Sequence, residues 1–411
     1  MTTSAVLFTP LGFNLAETTR MIEVARALPN GLDPVFVVHD ETYLHLVRDA
    51  GFRLEPAGPP LTPEQRRQAL AVDQERGLRL PFTEELLDAR VRAERDAVRV
   101  TGAVAMVHGT NPTSTISARA EGIPLFYPVP LALTSPHLAS GWTLPILPTS
   151  TASGRLLNPA LTRLAAWAYA SAPLVPAAFT RVAERHGAPP PRTFADLLGA
   201  DVTLLTAMAD EIGGLDLPAS FHRVGPIFAR LPGEVPPLVH RLAAGPEPLV
   251  YLACGSSGHR RLVLDVIDAV RTLPIQVVAP VRSYLTERDL ADLPANVHVT
   301  DLLPAHRLGG LVDAAILHGG QGTVQTACAG AIPFVGIGLQ TEQRWNVGVC
   351  ERRGHAISVA PRQVRGRGLR VALHRVLTDP TVRRVATEVA AEYRDEDGAA
   401  RSAAVIADLV G

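Results

Sequence analysis

The chain has 411 residues, 47% of them hydrophobic and 19% charged, so it is long enough for roughly two or three domains that each bury a core. Its 39 basic and 40 acidic residues give a formal net charge of −1. This balance argues against a general nucleic-acid binder, which would have an excess of basic residues. Every one of the 39 basic residues is arginine. This excludes a P-loop lysine, a lysine Schiff base to pyridoxal phosphate and a lysine nucleophile.

The three cysteines Cys254, Cys328 and Cys350 are far apart in the chain and form no CxxC pair. Such a pattern supports neither a disulfide framework nor a zinc knuckle, and it is typical of a reduced compartment. The N-terminus lacks the basic region and the long apolar run of a signal peptide. We therefore expect a cytoplasmic protein, either free or peripheral at the inner face of the membrane.

The first half of the chain alternates short apolar runs with helical patterns. The predicted strands are 5–10, 33–40, 103–109 and 123–130, and the predicted helices are 17–28, 41–51, 83–100 and 113–122. Alternation of strands and helices predicts a parallel, doubly wound sheet. Unbroken apolar runs such as 103–107 are typical of strands that are buried on both faces.

A stretch rich in proline and glycine at 229–247 predicts a linker. The alternation then restarts, with predicted strands at 248–255, 274–280, 296–301, 313–318 and 332–338 and helices at 259–272 and 323–329. The sequence thus predicts two Rossmann-like domains, 1–228 and 248–395, that face a cleft, and a final helix at 396–411 that packs back on the first domain. Sheets of this kind bind ligands beyond the carboxyl ends of their strands.

A glycine-rich loop follows the predicted strand that ends at Leu317. It reads His318-Gly319-Gly320-Gln321-Gly322, after which Thr323 opens a predicted helix. Glycines let backbone N–H groups approach a ligand closely, and the start of a helix favours an anion. We expect Thr323 to cap the helix or to bind a phosphate oxygen, and His318 to donate a hydrogen bond to the same phosphate. The alternative is a glycine-rich turn with an internally bonded histidine.

The loop HGGQGT, followed by GAIP at 330–333, TEQ at 341–343 and Asn346, resembles the donor-binding signature of GT-B nucleotide-sugar glycosyltransferases. The bacterial natural-product and lipid glycosyltransferases are the most similar in pattern. LVYLACGSSG at 249–258 and NVHVTDLLPAHRL at 296–308 resemble two further elements of the same family. The resemblance covers essentially the whole C-terminal half, with the elements in the family's order.

The resemblance implies how a donor would be bound. Its diphosphate would contact His318, Gly319, Gly320, Gln321, Gly322, Thr323, Ser256 and Ser257. Its sugar hydroxyls would bind Glu342 and Gln343, and its nucleoside would lie against Pro304 and Ala305. Many relatives that use UDP have a glutamate for the ribose hydroxyls where this chain has Thr326. Because a carboxylate is the better acceptor for a diol, both a UDP-sugar and a dTDP-sugar stay open.

The family's catalytic histidine after the first strand is missing. Alignment on the shared ARAL at 25–28 puts Glu17 at its position, where a carboxylate could accept the proton of an acceptor hydroxyl. Asn14 and Glu17 also have the spacing of a capping box, which is a structural alternative. His108, at the end of a predicted strand, is the second candidate base, since a near-neutral pKa suits this role. One of the two could also orient the other.

The resemblance implies transfer of a sugar, with inversion, to a hydroxyl of an apolar small-molecule or lipid acceptor. It implies no metal and no cofactor besides the nucleotide-sugar co-substrate; the string 395–397 is interpreted as a solvated helix end. The apolar segment 142–180, with Trp142, Trp167 and Tyr169, would line an acceptor pocket, contact a membrane or form ordinary core. A nucleotide-sugar epimerase and a non-catalytic nucleotide-sugar-binding relative are the alternative functions. No oligomeric state is predicted.

Overall fold

The computed structural model describes residues 3–77, 79–132, 134–149 and 151–411. Ser150, which belongs to the apolar segment 142–180, lies outside the described residues. The chain forms two compact units. The first comprises Met1–Thr143, Leu157–Ile227 and Asp397–Gly411, and the second comprises Leu144–Leu156 and Phe228–Glu396.

The first unit is built on a seven-stranded parallel sheet. Its strands are β1 (Ser4–Thr9), β2 (Leu32–Phe36), β3 (Arg53–Leu54), β4 (Ala103–His108), β5 (Leu125–Val129), β6 (Val202–Leu205) and β7 (Phe221–Arg223). They lie in the order β3-β2-β1-β4-β5-β6-β7, so the direction of winding reverses between β1 and β4. Phe8, Phe36 and Phe126 are fully buried within this sheet, as expected for strands that are covered on both faces.

Helices connect the strands of the first unit. They are α1 (Leu15–Ala27), α2 (Leu44–Asp49), α3 (Pro63–Asp73), α4 (Glu84–Thr101), α5 (Pro112–Glu121), α6 (Ser135–Ala139), α7 (Ala152–Ala170), α8 (Ala177–Arg185), α9 (Phe194–Leu198) and α10 (Ala209–Ile212). The first residues of α7 group with the second unit. In the described ranges, no helix has both the length and the apolarity needed to cross a bilayer.

The second unit is built on a six-stranded parallel sheet in the order β10-β9-β8-β11-β12-β13. The strands are β8 (Leu249–Ala253), β9 (Gln276–Ala279), β10 (Val297–Val299), β11 (Ala314–Leu317), β12 (Phe334–Gly336) and β13 (Ala356–Ser358). Its helices are α11 (Pro237–Ala243), α12 (Arg260–Val270), α13 (Glu287–Ala291), α14 (Gln321–Ala329), α15 (Thr341–Arg353), α16 (Arg367–Thr378) and α17 (Pro380–Tyr393). The predicted fold class, two doubly wound parallel sheets, is confirmed.

Several short elements were not predicted. Strands β3, β6, β7 and β13 have two to four residues each. Strands β3, β7 and β13 lie at a sheet edge and β6 lies next to one, where a strand is buried less and its apolar pattern is weak. The segment 229–247, predicted as a linker, contains α11 and groups with the second unit.

The last helix, α18 (Gly398–Val410), belongs to the first unit and packs against α1. Asp397 caps it by accepting a hydrogen bond from the backbone N–H of Ala400 (3.0 Å), so this part of the acidic string 395–397 begins a helix. The Gly398 N–H donates to the carbonyl of Pro226 (2.8 Å). A Cβ at Gly398 would lie 2.2 Å from the Gly225 oxygen, so the helix start approaches this backbone as closely as only glycine permits.

We expect Gly398→Ala to lower the free energy of unfolding by about 1–3 kcal/mol, because the added methyl group forces α18 away from residues 225–226. The measurement is the urea midpoint followed by circular dichroism. Gly366→Ala is the matched control, since a Cβ there would meet nothing closer than 3.8 Å. Equal midpoints for the two variants would contradict the docking of α18.

Candidate active site

Both sheets place loops side by side at the point where their winding reverses. In the first sheet, Thr9 of β1 pairs with His108 of β4, and the loops 10–14 and 109–111 follow. In the second sheet, Ala253 of β8 pairs with Leu317 of β11, and the loops 254–258 and 318–320 follow. Ligands of doubly wound sheets bind at such positions. Most of the predicted site residues lie at these two positions or on the helices that follow.

His318 is enclosed by its neighbours at the end of β11. Its side chain is 6% exposed, and Nδ1 lies 3.3 Å from the carbonyl oxygen of Ala253. A Cβ at Gly255 would lie 2.5 Å from this ring, and a Cβ at Gly320 would lie 2.4 Å from its Nε2. The two glycines are therefore required by the packing of the imidazole.

Burial lowers the pKa of His318 to about 4, against the raising effect of its bond to Ala253. The ring is thus neutral at physiological pH. A carbonyl oxygen only accepts hydrogen bonds, so the proton of the neutral ring is on Nδ1. Within the described chain Nε2 makes no hydrogen bond. The predicted donation from His318 to a phosphate stays a prediction, and through Nε2 it would require this nitrogen to gain a proton first.

Helix α15 holds the glycine loop in its conformation. Gly319 has a φ of +93°, and a Cβ there would lie 2.7 Å from the backbone oxygen of Gln343. Asn346 donates from Nδ2 to the Gly319 oxygen (3.0 Å) and to Oε1 of Glu342 (2.8 Å). Asn346, which was quoted in the sequence signature, thus links the predicted phosphate loop to the predicted sugar-binding residue.

The start of α14 differs from the prediction by two residues. The helix begins at Gln321 with Gly320 as its N-cap, so the prediction that Thr323 caps it is wrong; its predicted phosphate contact remains a prediction. The backbone N–H groups of Gly319, Gly320 and Gly322 donate no hydrogen bond within the part of the chain that is described. A Cβ at Gly322 would meet no atom within 4 Å. These N–H groups and the helix dipole favour an anion there.

Ser257 and Gln343 meet beside this loop. Ser257 is 8% exposed and accepts a hydrogen bond from Nε2 of Gln343 (2.8 Å). The same Nε2 donates to Oε1 of Gln340 (2.6 Å), and Oε1 of Gln343 accepts from the Leu339 N–H (3.1 Å). Both amide hydrogens of Gln343 are therefore used within the protein, which leaves its oxygen to contact a sugar hydroxyl. Ser256, the other predicted serine, is exposed.

The predicted nucleoside-binding residues lie within α14 or in the segment that contacts it. Pro304 is buried and precedes a 3-10 turn at Ala305–Arg307 that lies against α14. Thr326, within α14, donates its hydroxyl proton to the Gly322 oxygen (2.7 Å). Its oxygen can therefore only accept a hydrogen bond from a ligand.

Arg344 was missed by the sequence analysis. Its guanidinium donates to the backbone oxygens of Pro145 (2.6 Å), Ile146 (3.0 Å) and Leu339 (2.9 Å). These bonds tie residues 145–146 to α15, in agreement with the grouping of Leu144–Leu156 in the second unit. No local pattern marks them, because the partners are about 200 residues apart in the chain.

In the first unit, Asn14 caps α1 as its spacing predicts. Its Oδ1 accepts from the backbone N–H groups of Ala16 (3.1 Å) and Glu17 (3.4 Å), and its Nδ2 donates to Oε1 of Glu17 (3.3 Å). Glu17 is thus the third residue of the helix. Its carboxylate does not return to the cap backbone as in a capping box.

Glu17 instead joins the two loops at the reversal of the first sheet. Its carboxylate accepts from the Thr110 hydroxyl (2.6 Å), the Thr110 N–H (3.2 Å) and the Leu11 N–H (3.3 Å). A Cβ at Gly109 would lie 2.0 Å from its Oε2. The side chain is buried, and this burial raises the pKa of Glu17 although the bonds from Thr110 oppose the shift.

His108 is completely buried and contacts the ring of Tyr127, with 4.7 Å between the ring centres. Nδ1 lies 3.4 Å from the Asn111 carbonyl oxygen, while Nε2 has no hydrogen-bond partner among the described residues. Burial lowers the pKa of His108 to about 4, so the near-neutral value that was expected is wrong. Glu17 and His108 share no hydrogen bond in the described chain. No hydrogen bond therefore supports the expectation that one of these side chains orients the other.

A buried polar cluster that sequence reasoning missed holds the loop after β4. Glu94 of α4 is fully buried and accepts hydrogen bonds from Asn111 (2.9 Å) and Thr113 (2.6 Å). His39 contacts the same carboxylate through Nε2 (2.9 Å) and accepts the Gly58 N–H at Nδ1 (3.0 Å). Burial alone would raise the pKa of Glu94, but these bonds outweigh it and hold the pKa below its usual value.

The apolar segment 142–180 has a mixed environment. Trp142 packs against the buried Leu131 and Leu205, whereas Trp167 is 55% exposed and Leu164 57% exposed. Tyr169 is partly buried. The interpretation as ordinary core therefore holds for Trp142 and fails for Trp167.

Comparison with known proteins agrees with this geometry. Residues 264–408 match the family model of the erythromycin biosynthesis protein CIII-like C-terminal domain. A PGL/p-HBAD biosynthesis glycosyltransferase of Mycobacterium tuberculosis is 25% identical over 393 residues, which cover 94% of this chain and 88% of the relative.

Two solved structures share the fold over the whole chain. The spinosyn forosaminyltransferase SpnP has a TM-score of 0.70 at 17% identity and is covered over 99% of each chain. The glycosyltransferase VinC, solved in complex with dTDP, has a TM-score of 0.67 at 18% identity, again with 99% of each chain covered. The family model over the C-terminal part, the relative along most of the chain and the two parallel sheets agree that the chain is a glycosyltransferase with the GT-B fold, similar to the enzymes of natural-product and lipid glycosylation.

Proposed function

We propose that the chain transfers a sugar from a UDP- or dTDP-sugar to a hydroxyl group of an apolar small-molecule or lipid acceptor, with inversion at the anomeric carbon. One observation carries the donor part of this proposal: the backbone N–H groups of Gly319, Gly320 and Gly322, which directly follow His318, have no partner in the described chain, and Nε2 of His318 has none either. A diphosphate would supply the acceptors for these donors.

The empty space at Gly322 supports the same assignment. Gly255, Gly319 and Gly320 are glycines because protein atoms occupy the place of their Cβ, but Gly322 has no such atom nearby. A glycine in a helix costs about 1 kcal/mol relative to alanine. A ligand that occupies the space beside Gly322 would explain why a glycine stands there despite this cost.

His318 would become protonated when the donor binds. The negative charge of a diphosphate beside Nε2 favours the imidazolium form, which then donates to a phosphate oxygen while Nδ1 stays bonded to Ala253. As the bond between the sugar and the phosphate breaks, the N–H groups and the imidazolium would stabilise the charge that develops on the leaving diphosphate.

Thr326 and the solved structure of VinC concern the choice between UDP and dTDP as the nucleotide of the donor. Thr326 can accept one hydrogen bond from a ribose hydroxyl, since its own proton is used on the Gly322 oxygen. A deoxyribose needs no second acceptor there. The VinC structure contains dTDP, and both nucleotides fit this pattern.

For the acceptor half, Glu17 would be the catalytic base and Asn14 and His108 would position it and its loop. In an inverting displacement the acceptor oxygen attacks the anomeric carbon and loses its proton to the carboxylate, while the bonding electron pair leaves with the diphosphate. Glu17 suits this step better than His108, because burial raises the proton affinity of Glu17 and lowers that of His108. Thr110 and Asn14 would hold the carboxylate in place.

The apolar nature of the acceptor is inferred from the surface of the first unit. Leu164, Trp167 and Leu174 are 57%, 55% and 54% exposed, and large apolar side chains in such number favour an apolar ligand. The mycobacterial relative is named as a glycosyltransferase of PGL/p-HBAD biosynthesis, which supports the glycosyltransferase part of this proposal.

We expect Gly322→Ala to weaken the binding of a UDP- or dTDP-sugar at least about tenfold, since a methyl group would occupy the space of a phosphate oxygen. The melting temperature should stay equal or rise, because alanine favours the helix. Calorimetry and thermal unfolding measure the two effects. Gly348→Ala, in α15, is the control, since its Cβ would meet only Nη1 of Arg352 at 3.5 Å. Unchanged affinity in Gly322→Ala would contradict the diphosphate assignment.

The affinity for a nucleotide-sugar should fall as the pH rises. The pKa of His318 is about 4 in the free protein and is raised in the complex, so binding takes up a proton. The affinity therefore falls by up to about tenfold per pH unit between the free pKa and the raised pKa, and it levels off above the raised pKa. A nucleotide-sugar is the right probe, because it lacks the terminal phosphate whose second pKa is about 6. Calorimetry in buffers with different ionisation heats measures the uptake. The variant His318→Asn should bind weakly at every pH; affinity at the wild-type level would refute the role of His318.

Glu17→Gln should lower kcat by about 10²–10⁴-fold with little change in the Kd of the nucleotide-sugar, because it removes the proton acceptor and keeps the shape. In the wild type, activity should fall on the acid side at a higher pH than an ordinary glutamate would give, since the raised pKa means that the carboxylate is protonated earlier. Glu23→Gln is the matched control, because Glu23 is as buried on the same helix and forms an ion pair with Arg26. Full turnover in Glu17→Gln together with loss in His108→Asn would make His108 the base.

A further inference from the structure

Outside the donor loop, the second unit contains a buried cluster of two thiols and an imidazole. The Sγ of Cys328 lies 4.0 Å from the Sγ of Cys350 and 3.4 Å from Nε2 of His355. The three residues are 2%, 5% and 1% exposed. They come from three different places in the fold, namely α14, α15 and the turn before β13. The sequence spacing concealed this cluster, because Cys328 and Cys350 lie 22 residues apart.

The distances fit the coordination of a thiophilic metal ion. Zn–S bonds of about 2.3 Å and Zn–N bonds of about 2.0–2.1 Å place neighbouring tetrahedral ligand atoms about 3.5–3.8 Å apart. The observed separations of 4.0 Å and 3.4 Å lie on either side of this range, and the ligand atoms of all three residues lie within 4.8 Å of one another. A disulfide would need the two sulfur atoms at about 2.05 Å, and neither of these two cysteines forms a disulfide.

One ring nitrogen of His355 and the hydroxyl of Tyr393 bear on the bonding of the cluster. The Nδ1 of His355 is buried and has no partner among the described residues. The Tyr393 hydroxyl bonds to the sulfur of Cys328, in the position of an outer contact that would orient a metal-bound thiolate. Two thiolates would neutralise the charge of a divalent cation in this apolar surrounding, which a buried ion requires.

We propose that Cys328, Cys350 and His355 bind one thiophilic metal ion, Zn²⁺ or Cu(I), as a structural site of the second unit. Thiolate and imidazole are the ligands that both ions prefer. The ion would join the C-terminal parts of α14 and α15 to the turn before β13.

The site would also support the donor loop, an effect that rests on the proposed function. Helix α14 begins with Gln321 and Gly322, and α15 begins with Thr341 and Glu342. An ion that ties the same two helices together farther along would hold these starts at a constant separation. Removal of the metal should therefore weaken nucleotide-sugar binding as well as stability.

The test begins with the metal content of the full chain, purified without a metal-affinity tag and with a thiol reductant present. Mass spectrometry of the elements should find roughly one zinc or copper per chain, and the element found distinguishes the two ions. Cys328→Ser and Cys350→Ser should each lose the metal. Cys254→Ser is the matched control and should keep it, because Cys254 is an equally buried cysteine of the same unit that lies outside the cluster.

A second measurement on the wild type covers the case that the serine variants fail to fold. Exchange of the bound ion for Co²⁺ should produce a thiolate-to-cobalt charge-transfer band and the strong visible bands of a tetrahedral site. The proposal is overturned if the reduced wild-type chain holds neither zinc nor copper after incubation with either ion. It is equally overturned if the metal persists in both cluster variants. Metal binding without any effect on nucleotide-sugar affinity would support the site and count only against its link to the donor loop.

Discussion

The enclosure of the His318 ring between two glycines is the constraint on which the second unit's site depends. The imidazole can reach the Ala253 carbonyl only because neither Gly255 nor Gly320 has a side chain. The chain must then leave β11 through a left-handed residue, Gly319, before α14 begins. Along this path the N–H groups of Gly319, Gly320 and Gly322 have no partner in the described chain, and the proposed function assigns them to an anion.

The first sheet reverses its winding in the same way, but its reversal point holds a hydrogen-bond acceptor where that of the second sheet has unpaired donors. There a buried carboxylate, that of Glu17, gathers donors from Leu11 and Thr110 and joins two loops. Burial and hydrogen bonds act in opposite directions on its pKa, and burial wins. One sheet thus presents unpaired donors that favour an anion, and the other presents a carboxylate with an increased affinity for a proton. These are the two properties that glycosyl transfer from a diphosphate requires.

Helix α15 organises much of the second unit. Asn346 fixes the glycine loop, Gln343 fixes Ser257, and Arg344 fixes residues 145–146. Farther along the same helix, Cys350 meets Cys328 of α14. These contacts are spread over about two turns of one helix, so α15 joins the glycine loop, residues 145–146 and the end of α14. The family signature in this helix therefore includes residues that support the fold of the second unit, besides the proposed contacts to a donor.

The sequence by itself determined the fold class and the position of the glycine-rich loop between β11 and α14, because continuous apolar strands and clustered glycines are local patterns with a direct physical meaning. It also predicted the capping role of Asn14, which depends on neighbours within one turn. Only the tertiary structure decided that His318 is neutral, that Glu17 is buried beneath Thr110, and that Cys328 meets Cys350. These properties depend on burial and on contacts between residues far apart in the chain, and the packing of whole elements sets both.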